Sequence, residues 1–429
     1  MQRVLHYVKY LPDFGWQPVV LTVENGDFPA RDETLLAEIP AEVPVIRTKI
    51  IEPYRLYRRL QGLPPNAPVD VNVLQKSAER QSWRSWLIQK IRETLFIPDA
   101  RIGWFPFARR AALQLLHRYR IEALYTSAPP YTTAVIGLSV KRRSNIPWVA
   151  GFRDPWTGFL SAAQRWGLPA WIERRLEKAV LQNADAVECA WKGIVRDFRQ
   201  KYPEIPEEKF VVIPNGFHPE ISHPVPYQPN AVFTLRYAGS LYGRRDPQPL
   251  LRALEQLVRQ RRIDPERFQL HLVGRVGEDV RRRLQRAPVP VAIEPYVPFR
   301  ESVERLQSAD ALLLIVDDSP HSRDIVPGKL FEYLAVHRPI VAIGPPDSEV
   351  GAILEETQAG QIIAPDQIDP LADALATLYH AWETGRMSER IAQIRTEVVQ
   401  RYSRYRLTHR FAQVLDTVVA ANRTAHSSR

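Results

Sequence analysis

The chain has 429 residues, of which 45% are hydrophobic and 25% are charged, and its formal net charge is +10. This length exceeds what one hydrophobic core usually supports, so it predicts two domains. The composition argues against a disulfide-built protein, because there is one cysteine, and against a membrane span, because no apolar run approaches the roughly 20 residues required.

The positive charge favours anionic partners. The arginines are spread along the chain and form no zinc-finger or aromatic RNA-binding signature, so nucleic acid is not predicted as a partner. Nucleotide diphosphates and an anionic membrane surface both reward positive charge. With Cys189 fitting a reducing compartment, we expect a cytoplasmic protein that can contact the inner face of the cell membrane.

The first half of the chain predicts alternating helices and strands. An amphipathic helix opens it, with Val4, Leu5 and Val8 on one face. Strands are expected at residues 19–23, 43–47, 123–127, 146–152, 185–190 and 209–214. Helices are expected within residues 83–97 and at 107–119, 132–142, 169–183 and 193–202. A doubly wound domain begins with a strand, so the opening helix suggests that a first strand is missing upstream of Met1.

The second half shows the more regular pattern. Six strands, at residues 233–238, 268–273, 291–294, 311–316, 340–343 and 361–364, alternate with helical stretches and predict a parallel sheet covered on both faces. The predicted domains are residues 1–217 and 231–395. A proline-rich linker is expected at residues 218–230, and a C-terminal helix with a polar tail at residues 396–429.

The stretch AGSLYGRRDP, residues 238–247, follows the first strand of the second half. Gly239 and Gly243 permit close backbone approach, and Arg244 or Arg245 offers donors suited to a diphosphate. Ser240 lies between the two glycines. The sequence therefore predicts an anion-binding turn here.

Two further strand ends are expected at the same edge of the sheet. Gly274 ends the strand HLVGR, and Tyr296 and Val297 follow the next strand. The pair Asp317 and Asp318 also follows a strand and could suggest a metal site, but a solvated loop is the preferred interpretation.

The stretch DIVPGKLFEYLA, residues 324–335, predicts a loop that leads into a helix. Amides at the helix start, near Gly328, could hold a phosphate, and Lys329 adds charge on the first turn. Asp324 precedes the helix, and Glu332 lies one turn inside it. The alternative is ordinary: Pro-Gly commonly precedes helices, and Glu332 could be a solvated acid.

The stretch RDPWTG, residues 153–158, ends a strand of the first half. Ligands of open parallel sheets sit beyond the carboxyl ends of the strands, so Arg153 and Asp154 are predicted to face a ligand. The alternative is an arginine and aspartate pair that bridges two loops.

Along the chain, RDPWTG comes first, AGSLYGRRDP second and DIVPGKLFEYLA third. With this order and spacing, the chain resembles glycosyltransferase family 4 (group 1), and in particular a bacterial subgroup with RDPW and GKLFEYLA motifs. The resemblance covers residues 1 to about 420. It implies the α/β fold called GT-B, in which two Rossmann-like domains face each other across a cleft and the final helix returns to the first domain. It also implies transfer of a hexose from a nucleotide-sugar co-substrate to a sugar or lipid-linked acceptor, with retention of configuration. Neither a metal ion nor a cofactor is expected. The expected role is in cell-envelope polysaccharide or glycolipid synthesis.

The resemblance also implies roles for individual residues. Glu332 would bind the ribose, Asp324 the hydroxyls of the transferred sugar, and Arg245 and Lys329 the diphosphate. The main chain at Tyr296 and Val297 would contact the base. Arg153 and Asp154 would orient the reacting groups.

Three positions depart from the family pattern. Arg153 stands where a histidine is usual, Ser240 where an arginine is usual, and Gly151 where the subgroup has an acid. These departures keep one alternative open, a non-catalytic nucleotide-sugar binding relative. A nucleotide-sugar epimerase or hydrolase is the other alternative, because it shares the architecture.

Overall fold

A computed structural model describes residues 2–26, 34–51, 96–158, 165, 167–221, 225–317, 319 and 322–427. It divides into two compact units. Unit 1 comprises Met1–Ile213 and Thr408–Arg429, and unit 2 comprises Pro214–Leu407. The expected helix within residues 83–97 lies almost entirely outside the described residues, as does Asp318.

Unit 1 contains parallel strands with helices between them. The strands are β1 (Val20–Val23), β2 (Val45–Thr48), β3 (Leu124–Ala128), β4 (Trp148–Phe152), β5 (Ala186–Cys189) and β6 (Phe210–Val212). The helices are α1 (Gln2–Tyr10), α2 (Phe105–Arg118), α3 (Thr132–Ser144), α4 (Gly167–Asn183) and α5 (Lys192–Lys201). All six strands occur within about two residues of their predicted positions.

The strands of unit 1 form two sheets. β1 pairs with β2, while β3, β4, β5 and β6 form a separate sheet in that order. Every residue of β4 and β5 is buried, whereas β1 is only half-buried. Strands buried on both faces read as continuous apolar runs, which explains why β4 lacked an alternating pattern. The expected upstream strand stays a prediction.

Unit 2 is built on one six-stranded parallel sheet. Its strands are β7 (Phe233–Ala238), β8 (Phe268–Val273), β9 (Val291–Glu294), β10 (Ala311–Ile315), β11 (Ile340–Ile343) and β12 (Gly360–Ile363). The intervening helices are α6 (Gln248–Arg259), α7 (Glu278–Leu284), α8 (Phe299–Gln307), α9 (Gly328–Ala335), α10 (Glu349–Thr357) and α11 (Ile368–Glu383). The six predicted strands are confirmed.

The strand order of unit 2 locates a ligand crevice. In the order β12-β11-β10-β7-β8-β9, the chain runs outward from β7 in one direction and from β10 in the other. Such a reversal opens a crevice beyond the carboxyl ends of the two central strands. Residues that follow β7 and β10 therefore border the expected binding position.

The proline-rich stretch, residues 214–230, belongs to unit 2. Its end is held by the buried carboxylate of Asp310, which accepts bonds from the Tyr227 hydroxyl (2.6 Å) and the Asn230 side-chain amide (2.8 Å). The Trp382 indole donates to the Asn230 carbonyl at 3.0 Å. Proline content marks the absence of regular structure here, and residues 227–230 are packed on unit 2 through these contacts. The linker assignment stays a prediction.

The C-terminal stretch is helical, as expected, and breaks divide it into three helices. It forms α12 (Met387–Ala392), α13 (Thr396–Val399) and α14 (Arg404–Ser427). Ser403 breaks the helical run because it is extended and forms a bridge with Phe217. From Thr408 onward the chain belongs to unit 1, where the Phe411 ring stacks on the Tyr7 ring at 4.2 Å. None of the helices described combines the length and hydropathy that a bilayer span requires.

Candidate active site

The turn after β7 is shaped by two glycines with left-handed backbones. Gly239 has a φ of +116° and donates its amide to the Val273 carbonyl at 2.8 Å. Gly274 has a φ of +129°, and a Cβ added there would lie 2.6 Å from the Gly239 carbonyl oxygen. Any side chain at Gly274 would therefore collide with the turn, which explains why both strand ends carry glycine.

Lys329, on the first turn of α9, lies over this turn. Its Nζ donates to the Tyr237 hydroxyl at 2.6 Å and lies 3.9 Å from the Tyr237 ring centroid. A Cβ added to Gly239 would be 2.8 Å from the same Nζ. Burial and the nearby charge of Arg245 lower the pKa of Lys329 to about 7, although Glu332 and Asp317 oppose this shift.

Arg245 is held inside the same turn. Its Nη1 donates to the Ser240 carbonyl at 2.9 Å, and its Nε lies 2.6 Å from Oδ1 of Asp317, which follows β10. The Arg245 guanidinium is therefore paired with the Asp317 carboxylate in the crevice between β7 and β10. Arg244 and Gly243 are exposed, and Ser240 contributes its carbonyl to Arg245.

Glu332 lies one turn beyond Lys329 on α9 and is half-buried. Burial raises the pKa of its carboxyl group, while the charges of Arg404 and Lys329 oppose this rise. The Arg404 side chain is itself fixed by a bond from its Nε to the Gly216 carbonyl at 2.7 Å. Lys329, Arg245 and Glu332 are thus brought into one charged group, as the sequence predicted.

The remaining predicted residues of unit 2 lie at its strand ends and at the start of α9. Gly328 begins α9, with open space where a side chain would be, and Asp324 is half-buried in the preceding turn. Tyr296 and Val297 follow β9, two strands along the sheet from β7. Tyr296 is 74% exposed, so its ring is available to a ligand.

The loop after β4 in unit 1, residues 153–158, carries Arg153 and Asp154. The Arg153 guanidinium donates to the Pro129 carbonyl, and its carbonyl accepts from the Trp191 indole at 3.1 Å. Arg153 therefore bridges the loops that follow β3 and β4. This resembles the alternative in which an arginine and aspartate pair bridges two loops, but the partner of the Arg153 side chain is the Pro129 carbonyl and not an aspartate.

Two buried glutamates of α4 hold the rest of this loop. Glu177 accepts from the Thr157 amide at 2.9 Å and from the Thr157 hydroxyl at 2.5 Å, and Glu173 accepts from the Trp156 indole at 3.1 Å. The Trp156 ring also stacks on the Tyr131 ring at 5.0 Å. These contacts fix the loop from its inner side.

Asp154 differs from its neighbours in the loop. Its carboxylate has no hydrogen-bond partner in the part of the chain that the structure describes, although it is half-buried. Burial raises its pKa, while the adjacent charge of Arg153 opposes the rise. The loop therefore presents one acidic group that is ready for a ligand.

Gly151, where an acid was expected from the resemblance, faces Glu188 across the β4–β5 pair. A Cβ at Gly151 would lie 2.8 Å from Oε2 of Glu188 and 2.5 Å from the Tyr125 hydroxyl. Glu188 is 1% exposed and accepts bonds from Arg3, Tyr7 (2.5 Å) and Tyr125 (2.6 Å). A carboxylate is therefore present beside this position, but it comes from the neighbouring strand and holds α1.

Sequence reasoning missed several of these residues. Tyr237, which holds Lys329, gave no separate signal, and neither did Glu188. Asp317 was singled out only as a residue of a metal site or a solvated loop, and its pairing with Arg245 was not predicted. Glu173 and Glu177 could have been found, because acids four residues apart on the apolar face of an amphipathic helix indicate buried partners.

Comparisons with known proteins identify the family of the chain. A model described as Glycosyltransferase Family 4 matches residues 67–221, and one described as Glycosyl transferases group 1 matches residues 233–381. The fold and these two matches, which together span most of the chain, define a glycosyltransferase of the GT-B type. The chain belongs to the group 1 glycosyltransferases.

Solved structures share the fold at low sequence identity. Sucrose-phosphate synthase from Thermosynechococcus elongatus is similar with a TM-score of 0.60 at 15% identity, over 97% of this chain and 93% of that one. The lipopolysaccharide outer core galactosyltransferase WaaB is similar with a TM-score of 0.53 at 12% identity, over 96% and 95%. The E. coli trehalose-6-phosphate protein bound with UDP-2-fluoro glucose gives 0.56 at 12% identity, over 93% and 99%. No curated protein matches the chain.

Proposed function

We propose that this glycosyltransferase moves a hexose from a nucleotide-sugar donor to a sugar or lipid-linked acceptor, with retention of configuration and without a metal ion. The observation that carries the proposal is the grouping of Lys329, Arg245 and Glu332 beside the glycine turn of unit 2. Retention, metal independence and a role in cell-envelope polysaccharide or glycolipid synthesis at the cytoplasmic side of the membrane rest on the family resemblance.

The diphosphate of the donor would bind between Lys329 and Arg245. Both cations already lie at the turn, where Lys329 contacts the Tyr237 hydroxyl and Arg245 contacts Asp317. A diphosphate offers each cation a stronger anionic partner than it has now. When the bond to the sugar breaks, charge develops on the leaving diphosphate, and these preorganised cations stabilise that charge in the transition state.

The family pattern has an arginine where this chain has Ser240, and Lys329 supplies a cation at that place. Its Nζ lies against Gly239, the residue just before Ser240. We infer that the second cation of the diphosphate site comes from α9 and not from the turn itself.

The remaining parts of the nucleotide-sugar are assigned to residues by their positions in the sheet and in α9. Glu332 would accept hydrogen bonds from the ribose, Asp324 would bind hydroxyls of the transferred sugar, and the main chain at Tyr296 and Val297 would contact the base. Gly243 and Gly328 have open space where a side chain would be, and Gly239 and Gly274 let the turn, the neighbouring strand end and Lys329 pack closely. In unit 1, Asp154 would orient the acceptor hydroxyl, and Arg153 would hold the loop that carries it.

A nucleotide panel tests the proposal. UDP, GDP, ADP and their sugars should be compared by thermal shift, beginning with UDP-sugars because the E. coli neighbour holds a UDP-sugar analogue. A ligand at about 100 times its Kd adds roughly 2.7 kcal/mol of stability, which is easily detected. A nucleotide-selective shift is expected.

The variant Glu332→Gln should weaken binding of that nucleotide roughly 10- to 100-fold, because a hydrogen bond to a charged group contributes about 1.5–3 kcal/mol. Glu355→Gln, an exposed glutamate on α10, is the matched control and should bind normally. Equal affinity of the two variants would remove Glu332 from the site, and no shift with any nucleotide would refute donor binding.

A further inference from the structure

Helix α4 has two chemically different faces. Both of its acidic residues point inward: Glu173 is 5% exposed and Glu177 is fully buried. The exposed positions of the helix recur at helical spacing and include apolar, basic and neutral residues but no acid, and they are Gly167, Leu168, Trp171, Arg174, Arg175, Lys178 and Gln182. The outer face of α4, meaning these residues, therefore carries positive charge only.

The apolar part of this face is unusually open to solvent. Leu168 is 65% exposed and Trp171 is 48% exposed. The Arg175 guanidinium lies 4.3 Å from the Trp171 ring centroid, so the cation sits directly beside the aromatic surface. A large exposed tryptophan with an adjacent leucine costs solubility and indicates a surface that contacts a partner.

The charge of this face is largely uncompensated. Lys178 pairs with Glu204 at 2.7 Å. In contrast, Arg174 and Arg175 form no ion pair with any residue that the structure describes. An anionic partner would therefore gain two guanidinium contacts without displacing an existing carboxylate.

We propose that the outer face of α4 docks unit 1 on an anionic phospholipid surface. Leucine and tryptophan at one end of an amphipathic helix insert into the headgroup region, while adjacent arginines bind the lipid phosphates. Arginine stems are long enough to keep the guanidinium at the phosphate level while the ring is inserted. A nucleic acid would use the arginines but would leave Leu168 and Trp171 in water, so the lipid surface is the better match.

The inner face of the same helix links this surface to the site. Glu173 and Glu177 hold Trp156 and Thr157, which lie in the same loop as Asp154. Docking through α4 would keep that loop at a fixed distance from the lipid headgroups. This step rests on the proposed function, since it makes a lipid-linked acceptor the substrate presented to Asp154.

Vesicle co-sedimentation tests the docking surface without any knowledge of the donor. The full chain is mixed with phosphatidylcholine vesicles, with or without phosphatidylglycerol, and the bound fraction is measured. Each arginine near an anionic surface contributes about 1 kcal/mol, so Arg174→Gln with Arg175→Gln should lower the partition coefficient roughly 30-fold. The double variant Leu168→Gln with Trp171→Gln should also lose binding.

The matched control is Arg281→Gln with Arg282→Gln, two exposed neighbouring arginines on α7 of unit 2. This control removes the same charge and should change the partition coefficient less than about twofold. Equal losses for both arginine pairs, no effect of the Leu168 and Trp171 variant, or no binding of the unaltered chain to phosphatidylglycerol would each overturn the proposal. The nucleotide panel reports separately on donor binding, so failure of one test leaves the other readable.

Discussion

The two strand-end segments of this protein are held in opposite ways. In unit 1, the loop at residues 153–158 is fixed by neutral groups and buried carboxylates. Its one acid, Asp154, forms no hydrogen bond or ion pair with any residue in the described part of the chain. In unit 2, the turn at residues 239–245 lies beside two cations, Lys329 and Arg245, and each of them is occupied by a protein group.

This difference indicates different tasks. A loop fixed through its backbone keeps a single side chain in one orientation, which suits a group that must orient a reacting hydroxyl. Cations that rest on a hydroxyl and on a half-exposed carboxylate can exchange those partners for a ligand at little cost. If the proposed function holds, unit 1 is therefore preorganised, and we expect unit 2 to bind its donor by exchange of partners.

The largest effect is expected from breaking the preorganised loop. Glu177→Ala removes the acceptor for the Thr157 amide, the Thr157 hydroxyl and the Tyr202 hydroxyl, all of which are buried. Leaving buried donors unsatisfied should cost about 3 kcal/mol of folding free energy. For a unit of this size, that loss lowers Tm by roughly 6–12 °C, measured by calorimetry on the transition of unit 1.

Glu204→Ala provides the control for this loss. Glu204 pairs with Lys178 at the surface, where both side chains are nearly half exposed, so its removal should leave the Tm of unit 1 almost unchanged. Similar Tm values for the two variants would show that Glu177 does not hold the loop.

The exchange in unit 2 should appear as a pH dependence of donor affinity. The pKa of Lys329 is lowered from 10.5 to about 7, because burial and Arg245 disfavour its charged form. A bound diphosphate favours the charged form, so binding above this pKa requires proton uptake. Affinity for the nucleotide-sugar should therefore fall roughly tenfold as pH rises from 6 to 8, as titration calorimetry would show.

The folding stability of the ligand-free protein should depend on pH in the opposite direction to the nucleotide-sugar affinity. Between about pH 7 and pH 10 the unfolded chain keeps Lys329 protonated while the folded chain does not, so the Lys329 contribution to stability increases with pH. Lys329→Arg keeps the charge throughout and should give donor affinity with little pH dependence. A wild-type affinity that is constant over this range would contradict the assignment.

Much of this architecture followed from local patterns in the sequence. The strands of unit 2 were predictable because continuous apolar runs end at glycine or polar residues, as Phe233–Ala238 does before Gly239. Lys329 and Glu332 could be placed on one helix for the same reason. Irregular segments are harder to describe from local patterns: prolines at residues 214–230 show where helices and strands stop, but packing against Asp310 depends on contacts about 80 residues away.

The parts of the site that could not be predicted share one property. Asp317 faces Arg245 because β7 and β10 are neighbours that end at the same edge of the sheet, and Glu188 lies beside Gly151 because β4 and β5 pair in register there. Strand order decides these neighbours, and no local pattern encodes it. A departure from the family pattern at Gly151 therefore looked like a missing acid, although a carboxylate from β5 lies next to it.

The smallest predicted effect is the sharpest test of partner exchange in unit 2. If Asp317 competes with the diphosphate for Arg245, Asp317→Asn should increase nucleotide affinity, whereas most changes at a binding site reduce it. The Asp317 side chain is 45% exposed, so the pair contributes at most about 1 kcal/mol, and the gain should not exceed about fivefold. Asp373 lies on α11 and forms a comparable surface pair with Arg262. Asp373→Asn breaks that pair and should leave nucleotide affinity unchanged. If both variants gained equally, general charge and not Arg245 would explain the effect; a loss on Asp317→Asn would mean that the carboxylate positions the guanidinium for the donor.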